Sequence, residues 1–521
     1  MKSKTLSCVL GAMAVVTAAA STPVSGNDVA LKFNPANSTT RELVMPDGKT
    51  VQYRAYEHIY YVTNVEDSVY QYLNFYVPES VLASGAEVPI LLRTYVGGYM
   101  AARAAEPSPT DASGRALAEG YAVCIPGSRG SNSTVESAGQ KVFTGRAPNG
   151  LLDLKAAVRY LHLNDEAMPG NAERIITDGT SAGGAMSALL GATGNSPLYE
   201  PYLKAMGAAE ARDDVFAAVC YCPITDLEHA DMAYEWLYAC TNSGVRKLSD
   251  EQKAVSEELA SAYPAYLNSL QLKRPDDGSL LTADNYLDYL KSFIIQSAQR
   301  AKNEGCDLPA NIGIVMNSKQ RPGEGPQQAD RPRGLRDDRP RPPKDNGRQT
   351  PPPPGPQGAP AFQQETGEFV LDVDLPVYLN YVATTQALKT PPAFDGQGVL
   401  TDKATPENSL FGDSHGTTAN FTAYSLNKAT GETALDKGLQ ERVYLMNPMN
   451  FITDDACRKA QHWYIRHGAR DRDTSFPVPI NLATKLMNAG YDVNFALPWN
   501  RPHSGDYNLD DLFTWIKTII D

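Results

Sequence analysis

The chain has 521 residues, 42% of them hydrophobic, so it is long enough for one large core that carries an insertion, or for two domains. Its net charge of −13 and isoelectric point near 5.1 argue against nucleic acid or an acidic membrane surface as a partner, because these surfaces repel an acidic protein. A soluble enzyme for neutral or organic substrates fits this composition better.

Residues 1–20 have the pattern of an export signal. They begin with the basic residues Lys2 and Lys4, continue as an apolar run, and end with the small residues Ala18 and Ala20, which suit cleavage. The run is too short to span a bilayer comfortably, and no later stretch has the composition of a membrane span. We therefore predict a soluble mature protein that is exported to a periplasm or out of the cell.

Export affects the interpretation of the cysteines, because an oxidising compartment permits disulfides. Removal of Cys8 with the signal leaves six cysteines, whose pairing cannot be deduced from the sequence. A chain of this size does not need disulfides to fold, so one or two bridges and no bridge both remain open. No histidine stands near these cysteines at ligand spacing, so we predict no metal site. The six are Cys124, Cys220, Cys222, Cys240, Cys306 and Cys457.

Residues 21–225 alternate between predicted strands and helices, which is the pattern of a parallel sheet. Apolar and polar residues first alternate over 43–61, as in early antiparallel strands. The elements predicted next are strands at 88–95, 120–125, 174–178 and 216–222 and a helix at 151–161. We assign residues 21–225 to the first part of an α/β core.

The strand at 88–95 leads into Gly97 and Gly98. α/β-Hydrolases place a backbone donor for an oxyanion at such a position, because glycine lets the backbone approach the substrate closely. An ordinary tight turn is the alternative interpretation of these glycines.

The hexapeptide GTSAGG at 179–184 lies between a short apolar strand and a helix of small residues. In a G-x-S-x-G elbow the chain turns sharply and holds the serine oxygen toward the substrate, so Ser181 is a candidate nucleophile. Side chains at Gly179 and Gly183 would collide with neighbouring backbone. The amide of Ala182, at the start of the helix, is a candidate donor to the oxyanion that forms when an ester carbonyl is attacked. Such turns also occur as plain structure.

Long helical stretches replace this alternation in residues 226–440, and the clearest lie at 250–270 and 284–302. We predict that residues 226–440 form a large, mainly helical inserted lid. Within it, residues 319–360 are rich in proline and poor in apolar residues, which predicts a disordered loop. A solvated spacer is the ordinary interpretation of this loop, and a polyproline-binding or anchoring role is the alternative.

The sheet pattern returns in residues 441–521, which we assign to the second part of the core. The predicted elements are strands at 460–466 and 491–497 and helices at 476–488 and 510–520. One sheet is therefore split by an insertion.

An activated serine needs a histidine base, and the base needs an acid that fixes its tautomer. In α/β-hydrolases these residues follow one another in the chain as serine, acid and histidine. Of the seven histidines, His503 follows the last predicted strand, whereas His467 ends a strand and the others lie in the wrong order or in the lid. His503 is therefore the candidate base.

The loop after the preceding strand, in the segment RHGARDRDTSF, offers Asp471 and Asp473 as the acid. Two residues apart in an extended loop, they can face the same side, so one could orient His503 while the other meets substrate hydroxyls. Either could instead be a solvated loop charge.

Four segments together resemble bacterial tannases of the subtype first known from lactobacilli, which hydrolyse galloyl esters. The segments are GTSAGGAMSALLGATGNSPLYEPYL, CPITDLEHADMAYEW, RHGARDRDTS and PHSGDY. The likeness covers residues 91–236, residues 441–521 and part of the lid, while the proline-rich loop departs from the family pattern. It implies an α/β-hydrolase fold with a mostly parallel central sheet flanked by helices.

The resemblance also implies the roles of the site residues. Ser181 would be the nucleophile, His503 the base and Asp471 the acid of the triad. The residues that would bind galloyl hydroxyls are Asp473 and, from the segments ALKTPPAFD and TPENSLFGD, Lys389 and Glu407. Two carboxylates and an ammonium suit a ring with three adjacent hydroxyls, because an analogue without them would leave buried charges unpaired. An exposed pair in a loop is the alternative for Lys389 and Glu407.

The sequence thus predicts an exported serine esterase, a tannin acylhydrolase, that needs no metal or organic cofactor. Its partner would be a small phenolic ester, with no nucleic acid or membrane, and no oligomeric state is indicated. The nearest alternative is a feruloyl or chlorogenate esterase, which differs in the acyl pocket. A remote alternative is a non-catalytic binding protein on a hydrolase scaffold, although such proteins typically lose a triad member.

Overall fold

The computed structural model of the protein describes Asp28, residues 30–317 and residues 369–520. The predicted signal at 1–20 and the proline-rich loop at 319–360 lie outside the described residues, so these two remain predictions.

The strands of the described chain are β1 (Thr39–Val44), β2 (Thr50–Tyr60), β3 (Tyr72–Pro78), β4 (Pro89–Arg93), β5 (Ala122–Pro126), β6 (Thr134–Ser137), β7 (Gln140–Phe143), β8 (Asn171–Thr180), β9 (Ala217–Tyr221), β10 (Ile314–Met316), β11 (Val370–Val373), β12 (His462–Arg466) and β13 (Asp492–Ala496). A nine-stranded sheet with the order β1-β2-β3-β5-β4-β8-β9-β12-β13 is the framework of this chain. The strands from β5 to β13 in this order run parallel, and β1, β2 and β3 precede them as an antiparallel meander. The hairpin β6-β7 and the antiparallel pair β10-β11, whose strands are far apart in the chain, lie outside this sheet.

The central strands are buried on both faces of the sheet. All five residues of β4, β5 and β9 are buried, as their nearly continuous apolar sequences predict for parallel strands covered by helices. Along β4, Ile90 and Leu92 belong to one apolar cluster and Leu91 to another, because successive side chains of a strand point to opposite faces.

Helices follow most of these strands and cover the sheet. The helices are α1 (Glu79–Ser84), α2 (Ala112–Ala118), α3 (Asn149–Leu163), α4 (Ala182–Ala192), α5 (Glu200–Ala205), α6 (Leu227–Tyr238), α7 (Asp250–Ser269), α8 (Tyr286–Asn303), α9 (Leu375–Thr385), α10 (Pro406–Leu410), α11 (Ala423–Thr430), α12 (Lys437–Leu445), α13 (Pro477–Asn488) and α14 (Leu509–Ile520). Helices α6 to α12 lie in the chain between β9 and β12, and α7 and α8 are the two long helices that the sequence predicted there.

The carboxyl ends of the parallel strands meet at one edge of the sheet. The chain leaves β8 there at Thr180, β12 at Arg466 and β13 at Ala496, and each strand continues into a segment that carries a predicted catalytic residue. The fold therefore places three segments that are distant in the sequence at one edge.

Two further predictions concern the described residues. The six described cysteines all carry free thiols, so none of the possible disulfides is formed. Within the described ranges, no helix combines the length and apolar composition needed to cross a bilayer.

Candidate active site

Ser181 stands at the turn between β8 and α4 in a backbone conformation that residues other than glycine rarely adopt, with φ +63° and ψ −123°. Its amide donates to the carbonyl of Tyr221 at 2.9 Å, and its carbonyl accepts from the amide of Ala185 at 3.0 Å. These hydrogen bonds to β9 and α4 hold the strained turn, which is the arrangement of a nucleophile elbow.

The glycines of this turn are required by close backbone contacts. A Cβ atom at Gly179 would lie 2.3 Å from the carbonyl oxygen of Gly183, and one at Gly183 would lie 2.8 Å from that of Val96. Both distances are far below van der Waals contact, which confirms the collision that the sequence predicted at these two positions.

We expect Gly179→Ala to lower the free energy of unfolding by about 3 kcal/mol, because the new methyl group must displace backbone rather than a flexible side chain. Gly97→Ala is the matched control, since a Cβ atom at Gly97 meets nothing within 4 Å. Urea denaturation of the two variants checks the prediction. Equal stabilities would show that the turn relaxes more easily than its contacts indicate.

The structure brings Ser181, His503 and Asp471 into one chain of hydrogen bonds. His503 Nε2 lies 2.8 Å from Ser181 Oγ, and His503 Nδ1 lies 2.7 Å from Asp471 Oδ2. The Asp471 side chain is fully buried, whereas the His503 side chain is 18% exposed. The base therefore faces the solvent-accessible side, while its acid is shielded from water.

The electrostatics of the pair suit a general base. Burial disfavours the charged form of Asp471, but His467 and the hydrogen bond from His503 outweigh burial and hold the pKa of this carboxyl well below its usual range. Burial likewise lowers the pKa of His503, but the hydrogen bond and charge of Asp471 outweigh it, so this pKa is raised above its ordinary value. Asp471 thus stays ionised and stabilises the imidazolium that forms when His503 accepts a proton.

Three side chains to which the sequence assigned no part in the site surround Asp471. His467 is fully buried and its Nδ1 lies 3.5 Å from Asp471 Oδ2, and burial lowers the pKa of His467 to about 4. The thiol of Cys222 lies 2.8 Å from the hydroxyl of Tyr507, which donates to the carbonyl of Pro502 at 2.7 Å. No local sequence pattern points to these contacts, because their members come from separate segments.

Histidine and cysteine are far apart in the sequence at this point, but the fold brings one of each together. The ligand atoms of Cys222, His467 and Asp471 lie within 4.8 Å of one another, and those of Asp471, Asp473 and His503 form a second such group. These are residues that could hold a metal ion, and both groups share the carboxylate that pairs with His503.

A buried ion cluster anchors the loop that carries His503. Arg93, at the end of β4, pairs with Asp178 at 2.5 Å and with Asp506 at 2.8 Å. Gly505 of the same loop lies so close to Thr180 that a Cβ atom would come within 1.9 Å of its hydroxyl oxygen. The loop is therefore fixed to the strands that lead to Ser181 by charge and by close packing.

The two predicted sources of oxyanion donors flank the elbow. Ala182 is the first residue of α4, where backbone amides have no partner within the helix. Val96, just before Gly97, places its carbonyl against Gly183, and Gly98 adopts φ +56°. Among the described residues, the amides of Gly97 and Gly98 have no hydrogen-bond acceptor.

The structure also brings the predicted substrate-binding residues to this edge. Asp473 belongs to the group of ligand atoms around His503, and its amide donates to Asp471 Oδ1 at 2.8 Å. Lys389 is close enough for its charge to lower the pKa values of both His503 and Glu407. Glu407 is only 5% exposed, and its burial outweighs Lys389 and raises its pKa.

Comparisons with known proteins bear on this geometry. The family model described as BD-FAE matches residues 73–268. The Fusobacterium nucleatum tannase and the tannin acyl hydrolase of Lactobacillus plantarum are each 36% identical to the chain, cover 94% of it and 99% of their own chains, and superpose with a TM-score of 0.77. A tannin acyl hydrolase in complex with ethyl gallate has the same identity and coverage and a TM-score of 0.76. The comparison with curated proteins gave no match.

Proposed function

The chain belongs to the bacterial tannases, carboxylic ester hydrolases with the α/β-hydrolase fold that the sequence predicted, and from this we propose that it hydrolyses galloyl esters to gallic acid through an acyl-enzyme. The observation that carries the proposal is the pair of hydrogen bonds, 2.8 and 2.7 Å long, that joins Ser181 to His503 and His503 to Asp471. Hydrolysis of methyl gallate, with release of gallate and methanol, is the direct assay.

The proposed reaction gives each residue of the triad one role at a named atom. Ser181 Oγ attacks the galloyl carbonyl while His503 Nε2 takes its proton, and Asp471 stabilises the resulting imidazolium. The amides of Ala182 and of Gly97 or Gly98 donate to the oxyanion of the tetrahedral intermediate.

Collapse of this intermediate expels the alcohol, which takes the proton from His503 and leaves the galloyl group on Ser181. Water then attacks the acyl-enzyme with His503 again as the base, and gallate departs. None of these steps needs a group from outside the chain other than water.

We propose that Asp473, Lys389 and Glu407 recognise the hydroxyls of the galloyl ring. Two carboxylates and an ammonium beside the triad supply acceptors and a donor for three adjacent phenolic groups. A similar tannin acyl hydrolase was solved in complex with ethyl gallate, a galloyl ester, which supports a ligand of this class here.

Glu407→Gln is expected to lower kcat/KM for methyl gallate by about 100-fold, because a buried acceptor for phenolic hydroxyls is replaced by a neutral amide. Methyl benzoate, which lacks the hydroxyls, should be affected severalfold at most. Steady-state kinetics with the two esters measure the ratio. Glu258→Gln is the control, since Glu258 pairs with Lys428 at an exposed position of the inserted segment, and an equal loss for both esters in Glu407→Gln would contradict the assignment.

A feruloyl or chlorogenate esterase is the second candidate, favoured by the BD-FAE match over residues 73–268. It would use the same triad and differ in the ring that it accepts. Comparison of methyl gallate with methyl ferulate separates the two activities, since a tannase should prefer the gallate ester by a large factor.

We further propose that residues 1–20 direct export and are removed, as their basic start and apolar run indicate. The N-terminal sequence of the protein recovered outside the cytoplasm tests this, and a mature chain that still begins at Met1 would contradict it.

A further inference from the structure

Three buried tyrosines from the inserted segment hold the loop that carries Asp471 and Asp473. Their hydroxyls donate to backbone carbonyls of that loop: Tyr378 to Ala469 at 2.5 Å, Tyr238 to Asp471 at 3.1 Å and Tyr234 to Arg472 at 2.7 Å. Each of these tyrosines is at most 1% exposed. The insertion therefore contributes to the position of the acid without touching its carboxylate.

Tyr234 differs from the other two because its hydroxyl also accepts a hydrogen bond from the amide of Lys389, at 3.0 Å. A tyrosine hydroxyl has one proton and can accept as well, so it can serve both partners at once. Burial raises the pKa of Tyr234, which keeps that proton in place. This single oxygen thus joins the backbone of Lys389 to the residue between Asp471 and Asp473.

The side-chain contacts reinforce this link. The ring of Tyr234 meets that of Phe394 edge to face at 6.3 Å, and the ammonium of Lys389 lies 4.0 Å from the centre of the Phe394 ring. The carbonyl of Lys389 accepts from Arg246, whose guanidinium forms a buried pair with Glu235. Hydrogen bonds therefore hold the amide and the carbonyl of Lys389, and the ring of Phe394 holds its ammonium.

We propose that Tyr234 is a positioning residue that sets the distance between Lys389 and the loop of Asp471 and Asp473, and so couples recognition of the ring hydroxyls to the catalytic triad. This inference rests on the proposed function, since it assumes that Lys389 and Asp473 bind the same galloyl ring. Loss of the hydroxyl removes a partner from the partly buried N–H of Lys389 and from the partly buried C=O of Arg472, so the distance between the two segments is no longer fixed by a shared oxygen.

Tyr234→Phe removes this oxygen and keeps the ring. We expect the ratio of kcat/KM for methyl gallate to that for methyl benzoate to fall about tenfold, chiefly through a higher KM for methyl gallate, because only the galloyl ester uses both sides of the link. Tyr199→Phe is the matched control, since Tyr199 is equally buried and its hydroxyl donates to the carbonyl of Leu445 at 2.6 Å, away from the acid loop. Tyr199→Phe should lower the free energy of unfolding by a comparable amount and leave the ratio of the two kcat/KM values unchanged.

Arg246→Lys provides a second variant in case Tyr234→Phe does not fold, because it loosens the other backbone anchor of Lys389. It should lower the same ratio. An unchanged ratio in the folded Tyr234 variant, or an equal fall in Tyr199→Phe, would overturn the role of Tyr234. A wild-type enzyme with no preference for methyl gallate over methyl benzoate would instead contradict the proposed function, so the two failures are distinguishable.

Discussion

Ser181→Ala is expected to lower kcat for methyl gallate by about 10⁶-fold, because the hydroxyl that forms the acyl-enzyme is lost. The fold should be retained, since among the described residues the side chain of Ser181 makes one hydrogen bond, to His503, and the turn is held by backbone contacts. Rates of methyl gallate hydrolysis and thermal unfolding of the same preparation test both parts.

Ser187→Ala is the control for this variant. Ser187 lies in α4, the helix that follows Ser181, is fully buried, and its hydroxyl is hydrogen-bonded to that of Thr177 at 2.7 Å. Its replacement should cost some stability and leave kcat within a few-fold of the wild type. Turnover above about 1% in Ser181→Ala, or phosphonate labelling at another serine, would overturn the assignment of the nucleophile and the acyl-enzyme with it.

Asp471→Asn is expected to lower kcat by about 10³- to 10⁴-fold, because an amide no longer fixes the tautomer of His503 or stabilises the imidazolium. The pH profile should move as well. A general base works in its neutral form, so kcat/KM falls as the pH drops through the pKa of His503. Asp471 raises this pKa, so the acid limb of the wild-type profile should lie above the ordinary pKa of about 6.5, and it should shift to lower pH in the variant.

Rates between pH 4 and 9 measure this shift. Asp473→Asn is the control, because it preserves the hydrogen bond between Asp471 and His503. The charge of Asp473 also raises the pKa of His503, but less than Asp471 does, so its acid limb should move to lower pH by less than that of Asp471→Asn while KM for methyl gallate rises. An acid limb in Asp471→Asn at or above the wild-type position would show that another group raises the pKa of His503. The reverse pattern in the two variants would make Asp473 the partner of the base.

Much of the core could be predicted from the sequence, because central parallel strands are nearly continuous apolar runs bounded by turn residues. The runs that became β4, β5, β8 and β9 were all predicted as strands, and the elbow followed from its glycines and flanking elements. The strand β3, the hairpin β6-β7 and the antiparallel pair β10-β11 were not predicted. The two pairs are short and mostly at least partly exposed, so their residues carry little periodic signal.

The surroundings of the acid could not be predicted. Cys222, His467 and Tyr507 come from the ends of three different segments, and the fold alone brings them around Asp471. Nothing in the order or spacing of these residues encodes their distances, which depend on the strand order of the sheet.

The sequence by itself determined the fold class, the strained serine turn and the order in which serine, acid and histidine follow their strands, because these depend on local pattern and on chain direction in a parallel sheet. The tertiary structure alone decided that Asp471, rather than Asp473, faces His503, and that Lys389 and Glu407 reach the same edge from the insertion. The physical reason is that the distances between side chains of separate segments depend on how the chain packs. Two carboxylates two residues apart are equivalent in a sequence, and the packing of their loop, to which the buried tyrosines contribute, places Asp471 at 2.7 Å from the imidazole.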